Sequence, residues 1–387
     1  MRVTHVITRL VIGGAQENTV ATVLGLQSGS ALEVNLLAGP TTGPEGSLES
    51  AFDSSPQLLR LIPTLVRPVH PLLDGLALLR LTRIFRAERP DIVHTHSGKA
   101  GILGRWAAHR AGVPVILHTI HGPSFGTFQG AAANSLFRGA ERFAGKFTTH
   151  FVGVSDAMAR QYLAAGIGAP AQYTRIFSGF SLEPFLAAGN DLELRARLGL
   201  APQDFVIGKV ARFFKLKGHD ELLDLSPEFL RQCPRAKFLF VGDGAWRERL
   251  QSRARAMNLE KHFIFTGLVP PGEVSRYLGI MDVLAHLSRR EGLARALPQA
   301  LAAGRPVVAW DCDGAGEVCV DGETGFLIPP GDIPMLSRRL LELSRDAVLR
   351  SRLGERGREL VRPLFSVEAM LEKLRALYLK LADNPKP

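Results

Sequence analysis

The chain has 387 residues, 46% hydrophobic and 22% charged, a composition that fits folded domains with substantial cores and excludes a disordered or fibrous protein. A formal net charge of +10 and a pI near 9.9 predict attraction to anions, whether nucleic acid, anionic lipid or a phosphorylated small molecule. Three cysteines (Cys233, Cys312, Cys319) are too few and too irregularly spaced for a disulfide framework or a zinc site, which favours a reducing compartment.

No apolar run approaches the roughly 20 residues that span a bilayer. Met1–Val6 enters a strand-like run without a signal-peptide core. The expected location is cytoplasmic, with peripheral attachment to the inner face of the membrane left open.

Short β-branched runs alternate with longer helical patterns, the signature of parallel α/β domains. The first half predicts strands at Val3–Arg9, Glu33–Ala38, Asp91–His96, Pro114–His118 and Phe151–Val154. Helices are expected between them, at Gln16–Leu26, Gly75–Ala87, Ala100–Ala111 and Asn134–Ala144, with Leu192–Leu198 as a helical connector. A second series follows, with strands at Phe205–Ala211, Lys237–Val241, Phe263–Thr266, Val283–His286, Pro306–Trp310 and Gly325–Ile328. Its helices include His219–Gln232 and Trp246–Ala256, and a last one is expected at Val367–Leu381. The expected architecture is two doubly wound domains facing across a cleft, residues 1–185 and 190–365. Residues 366–387 form a final helix that is a candidate to cross back to the first domain. Ligands of such sheets bind at the carboxyl ends of strands.

Several strand ends carry residues suited to chemistry. Gly13-Gly14 follows the first strand, where glycines let backbone pass close to a ligand before a helix begins. A plain tight turn is an equal reading. Arg212 and Lys217 follow the first strand of the second series and can clamp a diphosphate; a solvated basic loop is the bland alternative. His94 and His96, and then His118 and His121, lie at two neighbouring strand ends, and strand alternation is expected to put each pair on one face. Neither pair has a carboxylate or cysteine at metal-ligand spacing, so hydrogen bonding, to core groups or a sugar hydroxyl, is preferred to a metal. Asp311-Cys312-Asp313 is more often a turn than a chelating pair, and Glu317 is a candidate brace for the helix carrying Gln299.

The densest signal is residues 288–304. Glu291 precedes a glycine at an expected helix start, and Gln299 follows eight residues later on an otherwise apolar helix. Two helical turns would place both side chains on one face, able to grip two ends of an elongated polar ligand. Two helices are basic and amphipathic, one with Arg80, Arg83 and Arg86, the other with Arg138, Arg142 and Lys146. An ordinary surface helix is the preferred reading of each, and an anionic membrane surface the alternative. Nucleic acid is disfavoured, because aromatics are only 7% and form no interleaved platform.

In order along the chain, Gly13-Gly14-Ala15, Val93-x-His-x-His96 with Ser97–Gly101, His121-Gly122 and Val154-Ser155-Asp156 resemble the family-four (group 1) retaining glycosyltransferases. So do Arg212 with Lys217-Gly218, Val241–Gly244, Glu291-Gly292 with Gln299-Ala300, and Asp321-Gly322-x-Thr324-Gly325-Phe326-Leu327. The resemblance covers about residues 3 to 332. It implies the GT-B fold, two Rossmann-like domains with the acceptor on the first and a nucleotide-sugar mainly on the second. A UDP-sugar is the leading donor and a GDP-sugar the other, with no cofactor and no metal.

The same resemblance implies that Arg212 and Lys217 hold the diphosphate, and that Glu291 contacts donor-sugar hydroxyls. Amides of Gly292, Leu293 and Ala294 support sugar or phosphate. His121 lies near the reacting sugar, and Gly14 approaches the phosphate. Gln299 stands where the family usually has a second glutamate that binds ribose. A glutamine keeps the shape and loses charge assistance.

The expected function is hexosyl transfer to an acceptor, on the pattern of relatives that build surface polysaccharide or glycolipid on lipid carriers. A nucleotide-sugar epimerase of the same fold and an inactive sugar-nucleotide-binding relative are the alternatives. Acceptor contacts are expected from the loops Gly13–Gln16, His96–Gly101 and His121–Gly130.

Overall fold

A computed structural model describes residues 1–28, 32–42, 46–126 and 128–383. Thr127, in the expected acceptor loop, and residues 384–387 of the final segment lie outside the described residues. The chain divides into two compact units, Met1–Phe180 with Ser366–Pro387, and Ser181–Phe365.

In the first unit the elements run β1 (Arg2–Ile7), α1 (Gly14–Gln27), β2 (Glu33–Ala38), β3 (Leu59–Leu61), α2 (Pro71–Glu88), β4 (Ile92–His96), α3 (Gly98–Ala111), β5 (Val115–Ile120), α4 (Ala131–Gly145), β6 (His150–Gly153), α5 (Asp156–Ala164) and β7 (Tyr173–Arg175). The second unit continues with α6 (Glu183–Leu186), α7 (Leu192–Arg197), β8 (Phe205–Val210), α8 (His219–Gln232), β9 (Ala236–Val241), α9 (Arg247–Ala256), β10 (Phe263–Phe265), α10 (Val274–Gly279) and β11 (Val283–His286). It ends with α11 (Ala296–Ala302), β12 (Val307–Trp310), β13 (Gly325–Ile328), α12 (Ile333–Arg345) and α13 (Ala347–Val361). The last helix, α14 (Val367–Asp383), belongs to the first unit.

Each unit holds one parallel sheet, of order β3-β2-β1-β4-β5-β6-β7 in the first and β10-β9-β8-β11-β12-β13 in the second. Helices cover both faces, so the strands are buried almost throughout, as Val3, Val6, Ile7 and Ile92, or Val206, Ile207, Val307 and Val308 illustrate. Strand order reverses between β1 and β4 in one sheet and between β8 and β11 in the other. These are the switch points at which loops splay apart and a ligand crevice opens. They set the Gly13-Gly14 turn beside the His96–Lys99 turn, and the Arg212–Lys217 loop beside the Ser288–Glu291 loop.

The strands expected from β-branched runs are all present, and β3 and β7 were not foreseen. Each is a three-residue edge strand, half-buried to exposed, too short to show a period. In the first unit α14 lies against α1, with Leu371 packed on Gly25 so closely that a Cβ there would sit 2.4 Å from Leu371 Cδ1. Arg375 donates to the Gly25 carbonyl at 3.1 Å, and Met370, Leu374 and Tyr378 enter the same core as β1 and β4.

Candidate active site

The second unit assembles its polar cluster from the two loops at the β8/β11 switch point. Gly218 caps α8 at φ 77°, a left-handed conformation, and a Cβ there would lie 2.2 Å from the Leu287 carbonyl oxygen. Only glycine lets the loops approach this closely. Arg289 N–H then donates to the Leu216 carbonyl at 2.8 Å, and Ser288 Oγ donates to the same carbonyl at 3.3 Å. The result is a direct contact in which Lys217 Nζ donates to Glu291 Oε1. Burial pushes the Glu291 carboxyl up, but the Lys217 ammonium and the His286 ring, with hydrogen bonds from Lys217 and Ser288, outweigh it and hold it below the usual range.

Asp313 closes the cluster from below, its Oδ2 accepting the Glu291 backbone N–H at 2.6 Å. Asp311-Cys312-Asp313 is thus a turn whose last carboxylate faces a backbone amide. Arg212 sits over the Phe214 ring at 5.4 Å, on a loop stitched to residues 243–246 by Phe213 N–H to the Asp243 carbonyl (2.8 Å) and Trp246 N–H to the Phe213 carbonyl (3.1 Å).

One expectation is corrected. Glu291 is not on the helix of Gln299: α11 begins at Ala296, with Arg295 at its cap, and residues 291–294 form a loop. Because α11 starts five residues after Glu291, the two-turn spacing does not place Glu291 and Gln299 on one helical face. Gly292 and Ala294 are buried in this loop, Leu293 and Gln299 half-buried.

Sequence reading missed Lys209. It lies on β8, 1% exposed, its Nζ without a hydrogen-bond partner among the described residues. Burial pushes its ammonium down to about 7; Glu221 opposes that shift, Lys217 adds to it and Glu291 opposes it. His219, packed between the rings of Phe213 (4.9 Å) and Phe240 (5.2 Å), and His286 complete a buried nitrogen-rich layer. A charged residue inside an apolar strand was the available signal.

In the first unit Gly14 opens the 14-residue helix α1, with Gly13 at its cap. β1 and β4 pair in register at His5 and His94. His5 Nδ1 lies 2.9 Å from His96 Nε2, and His96 Nδ1 lies 3.0 Å from His121 Nε2. A second correction follows: His118 and His121 do not share a face. Three residues is an odd number of strand steps, so His118 faces α3, where its Nδ1 lies 2.9 Å from Thr95 Oγ1 and its ring fills the space above Gly101. His121, just past β5, joins His96 instead.

The loop after His121 is anchored by a buried ion pair, Arg105 Nη2 to Glu141 Oε2 at 2.5 Å, with both side chains fully buried. Ser124 Oγ donates to the other Glu141 oxygen at 2.9 Å.

Two family models match the chain, one described as "Glycosyl transferases group 1" over residues 190–360 and one as "Glycosyl transferase 4-like domain" over residues 13–177. An Escherichia coli protein, UDP-Gal:alpha-D-GlcNAc-diphosphoundecaprenol alpha-1,3-galactosyltransferase, is 27% identical over 388 residues, covering 99% of this chain and 98% of that one. The phosphatidyl-myo-inositol mannosyltransferase of Mycobacterium leprae (strain TN) is 31% identical over 277 residues, 70% of this chain and 69% of its own. Among solved structures, Anabaena HepE in complex with UDP-glucose superposes with a TM-score of 0.83 at 21% identity, covering 98% of this chain and 100% of that one, a likeness of fold. Nothing in these comparisons supports an epimerase.

Proposed function

Because this chain belongs to the group 1 glycosyltransferases, of GT-B fold, we propose that it is a retaining, metal-independent enzyme that moves a hexosyl group from a UDP-sugar to a lipid-linked saccharide. The setting is surface polysaccharide or glycolipid assembly, and a GDP-sugar is the other candidate donor. The name of the E. coli relative, which matches over nearly the whole chain, supports a UDP-sugar and a diphospholipid acceptor.

The observation that carries the reading is the Lys217–Glu291 contact at the β8/β11 switch point. Before donor binds, each charge neutralises the other. A nucleoside diphosphate-sugar offers each a better partner: phosphate oxygens for Lys217, together with Arg212, and sugar hydroxyls for Glu291. Amides of Gly292, Leu293 and Ala294 add donors, Gln299 holds ribose hydroxyls, Gly14 allows close approach of the phosphate, and His121 contacts the reacting sugar. As the sugar C1–O bond breaks, charge grows on the departing diphosphate, and Arg212 and Lys217 stabilise it in the role a metal ion serves elsewhere. The acceptor hydroxyl bonds to C1 on the face the diphosphate leaves, so configuration is retained. Its proton goes to the departing phosphate oxygen.

The test uses purified protein, UDP-galactose and other UDP- and GDP-sugars, and a synthetic GlcNAc-diphospholipid, with product followed by mass spectrometry and its anomeric coupling read by NMR. The expected product is an α-linked sugar formed equally well in EDTA. Glu291→Ala is expected to lower the rate by roughly 10²–10³-fold, the scale for losing one site group that stabilises the transition state. An inverted linkage, a requirement for divalent metal, or full turnover by Glu291→Ala would each remove the corresponding part of the proposal.

A further inference from the structure

The first unit contains a chain of polar side chains running inward from His121, closed by one long link. His121 Nε2 meets His96 Nδ1 at 3.0 Å, and His96 Nε2 meets His5 Nδ1 at 2.9 Å. His5 Nε2 lies 3.5 Å from the Tyr378 hydroxyl, that hydroxyl lies 2.6 Å from His94 Nδ1, and His94 Nε2 lies 2.6 Å from Thr119 Oγ1. His5, His94, His96 and Tyr378 are essentially inaccessible to solvent. A cavity of about 10 Å³ beside His94, His96 and Thr119 holds at most one water.

His5, His94 and His96 bring ring nitrogens within 4.8 Å of one another. A divalent metal is still a poor occupant. The cluster holds no carboxylate to balance two buried charges, and every ring nitrogen of the three already faces a hydrogen-bonding partner. Burial holds His5 and His121 down to about 3 and His94 and His96 well below the ordinary histidine range, so all four rings are neutral at pH 7.

A neutral imidazole has one N–H and one bare nitrogen. His94, His96 and His5 each use both nitrogens, so each must donate on one side and accept on the other, and the direction chosen at one link propagates to the next. The phenol is the most acidic neutral donor in the chain. Its best use of a single proton is the short 2.6 Å link, donated to His94 Nδ1, a length that suits an O–H donor. His94 Nε2–H then donates to Thr119. On the other side, the phenol oxygen accepts from His5 Nε2–H. His5 Nδ1 is then bare and accepts from His96 Nε2–H, and His96 Nδ1 is bare and accepts from His121 Nε2–H. The bare nitrogen of His121 is Nδ1.

We propose that Tyr378, on the last helix of the chain, is a positioning residue for His121: through His5 and His96 its hydroxyl fixes the tautomer in which His121 Nε2 carries the proton and Nδ1 is a hydrogen-bond acceptor. This rests on the reading that His121 contacts the reacting sugar, and it names what that contact is, an acceptor for a sugar hydroxyl. It also gives α14 a part in the site beyond packing, since the C-terminal segment returns to the first unit carrying the phenol that gives the histidine chain its direction.

The experiment is ¹⁵N NMR of histidine-labelled enzyme, with His121 assigned by substitution, beside steady-state kinetics. Wild type is expected to show His121 Nε2 protonated and Nδ1 bare. Tyr378→Phe keeps the ring packing and removes the hydroxyl; the His121 nitrogens should move toward a mixture of tautomers. The same variant should lose roughly tenfold in kcat with donor KM within about twofold, the low end of the scale for removing an outer-shell hydrogen-bond partner.

A wild-type His121 protonated on Nδ1, a Tyr378→Phe spectrum unchanged at His121, or unchanged kcat alongside a changed tautomer would each overturn the proposal. So would one equivalent of tightly held zinc that is lost in His5→Ala. Full activity in His121→Ala would instead overturn the assignment of His121 to the reacting sugar, while the NMR spectra would still decide whether Tyr378 sets its tautomer.

Discussion

Asp313, whose own φ is 50°, holds Glu291 by its backbone, accepting the Glu291 N–H at 2.6 Å. The left-handed conformation is one that aspartate and asparagine tolerate better than most residues, so this carboxylate is aimed by its own turn. Asp313→Ala is expected to lower kcat/KM about tenfold, the scale of one hydrogen bond to a charged group, with little change in melting temperature. Asp313→Asn keeps both the turn and an acceptor and should stay within about threefold. Equal losses in the two variants would show that charge, not aim, is what Asp313 supplies.

Lys209 gives a pH signature to the second unit. Its folded-state value near 7 lies below the ordinary 10.5, so between those values the unfolded chain binds the extra proton. The penalty of burying this lysine is therefore full below pH 7 and declines as pH rises toward 10.5. Lys209→Met, apolar and close in length, should be more stable than wild type by a few kcal/mol at pH 7, and by less at pH 9. Denaturant unfolding at the two pH values measures the gap. A gap that does not shrink with pH would mean that Lys209 is not deprotonated over this range.

The fold was legible because both sheets are parallel and covered on both faces, which makes their strands continuous apolar runs between turn residues. Several of the polar contacts that escaped have their partner distant in sequence. Arg105 reads as an ordinary helical arginine until Glu141 is seen beside it, and His5 as a lone strand histidine until it meets His96. Tyr378, 284 residues from His94, carries no local sign of a polar role. The Glu291 segment was misread for a different reason. Gly-Leu-Ala-Arg-Ala-Leu has helical composition, yet its first residues are a loop whose preceding N–H, that of Glu291, is bonded to Asp313, beyond β12.

The buried pair of Arg105 and Glu141 holds the loop after His121 to α3 and α4. Arg105 also donates to the Gly101 carbonyl at 2.7 Å, so its guanidinium is shared between α3 and α4, and Ser124 ties the loop to Glu141. Arg105→Met strands a buried carboxylate and should cost about 3–5 kcal/mol. Arg105→Met with Glu141→Leu removes both charges and should cost clearly less than the single change. Chemical denaturation of wild type, both single variants and the double variant measures this. A double variant as unstable as the sum of its parts would show no coupling between the two side chains.

Gln299 can be returned to the acid that the family usually carries. If it holds ribose hydroxyls, Gln299→Glu replaces a neutral acceptor with a charged one and should tighten UDP binding about threefold to tenfold, read by calorimetry. The gain should vanish with 2′,3′-dideoxy-UDP, which lacks the hydroxyls. A gain that persists with the dideoxy compound would place Gln299 away from the ribose.

The expectation of an ordinary surface for the two basic helices is tested by what their outer faces carry. On α2, Leu72 and Leu76 are 76% and 52% exposed beside the exposed Arg80 and Arg83; on α4, Leu136 and Phe143 are exposed beside Arg138. Arg86 and Arg142, also exposed, donate to the carbonyls of Arg110 and Ala165. Both helices pack on α3. Apolar side chains ringed by cations suit a surface of anionic lipid, each basic residue there being worth about 1 kcal/mol. The enzyme should sediment with phosphatidylglycerol vesicles and not with phosphatidylcholine ones. Arg80→Glu with Arg83→Glu should weaken this at least tenfold, while transfer to a water-soluble acceptor is unchanged. Undiminished sedimentation in that variant, and in one carrying Arg138→Glu and Leu136→Ser, would leave both helices as ordinary solvent-facing surface and move the lipid contact elsewhere.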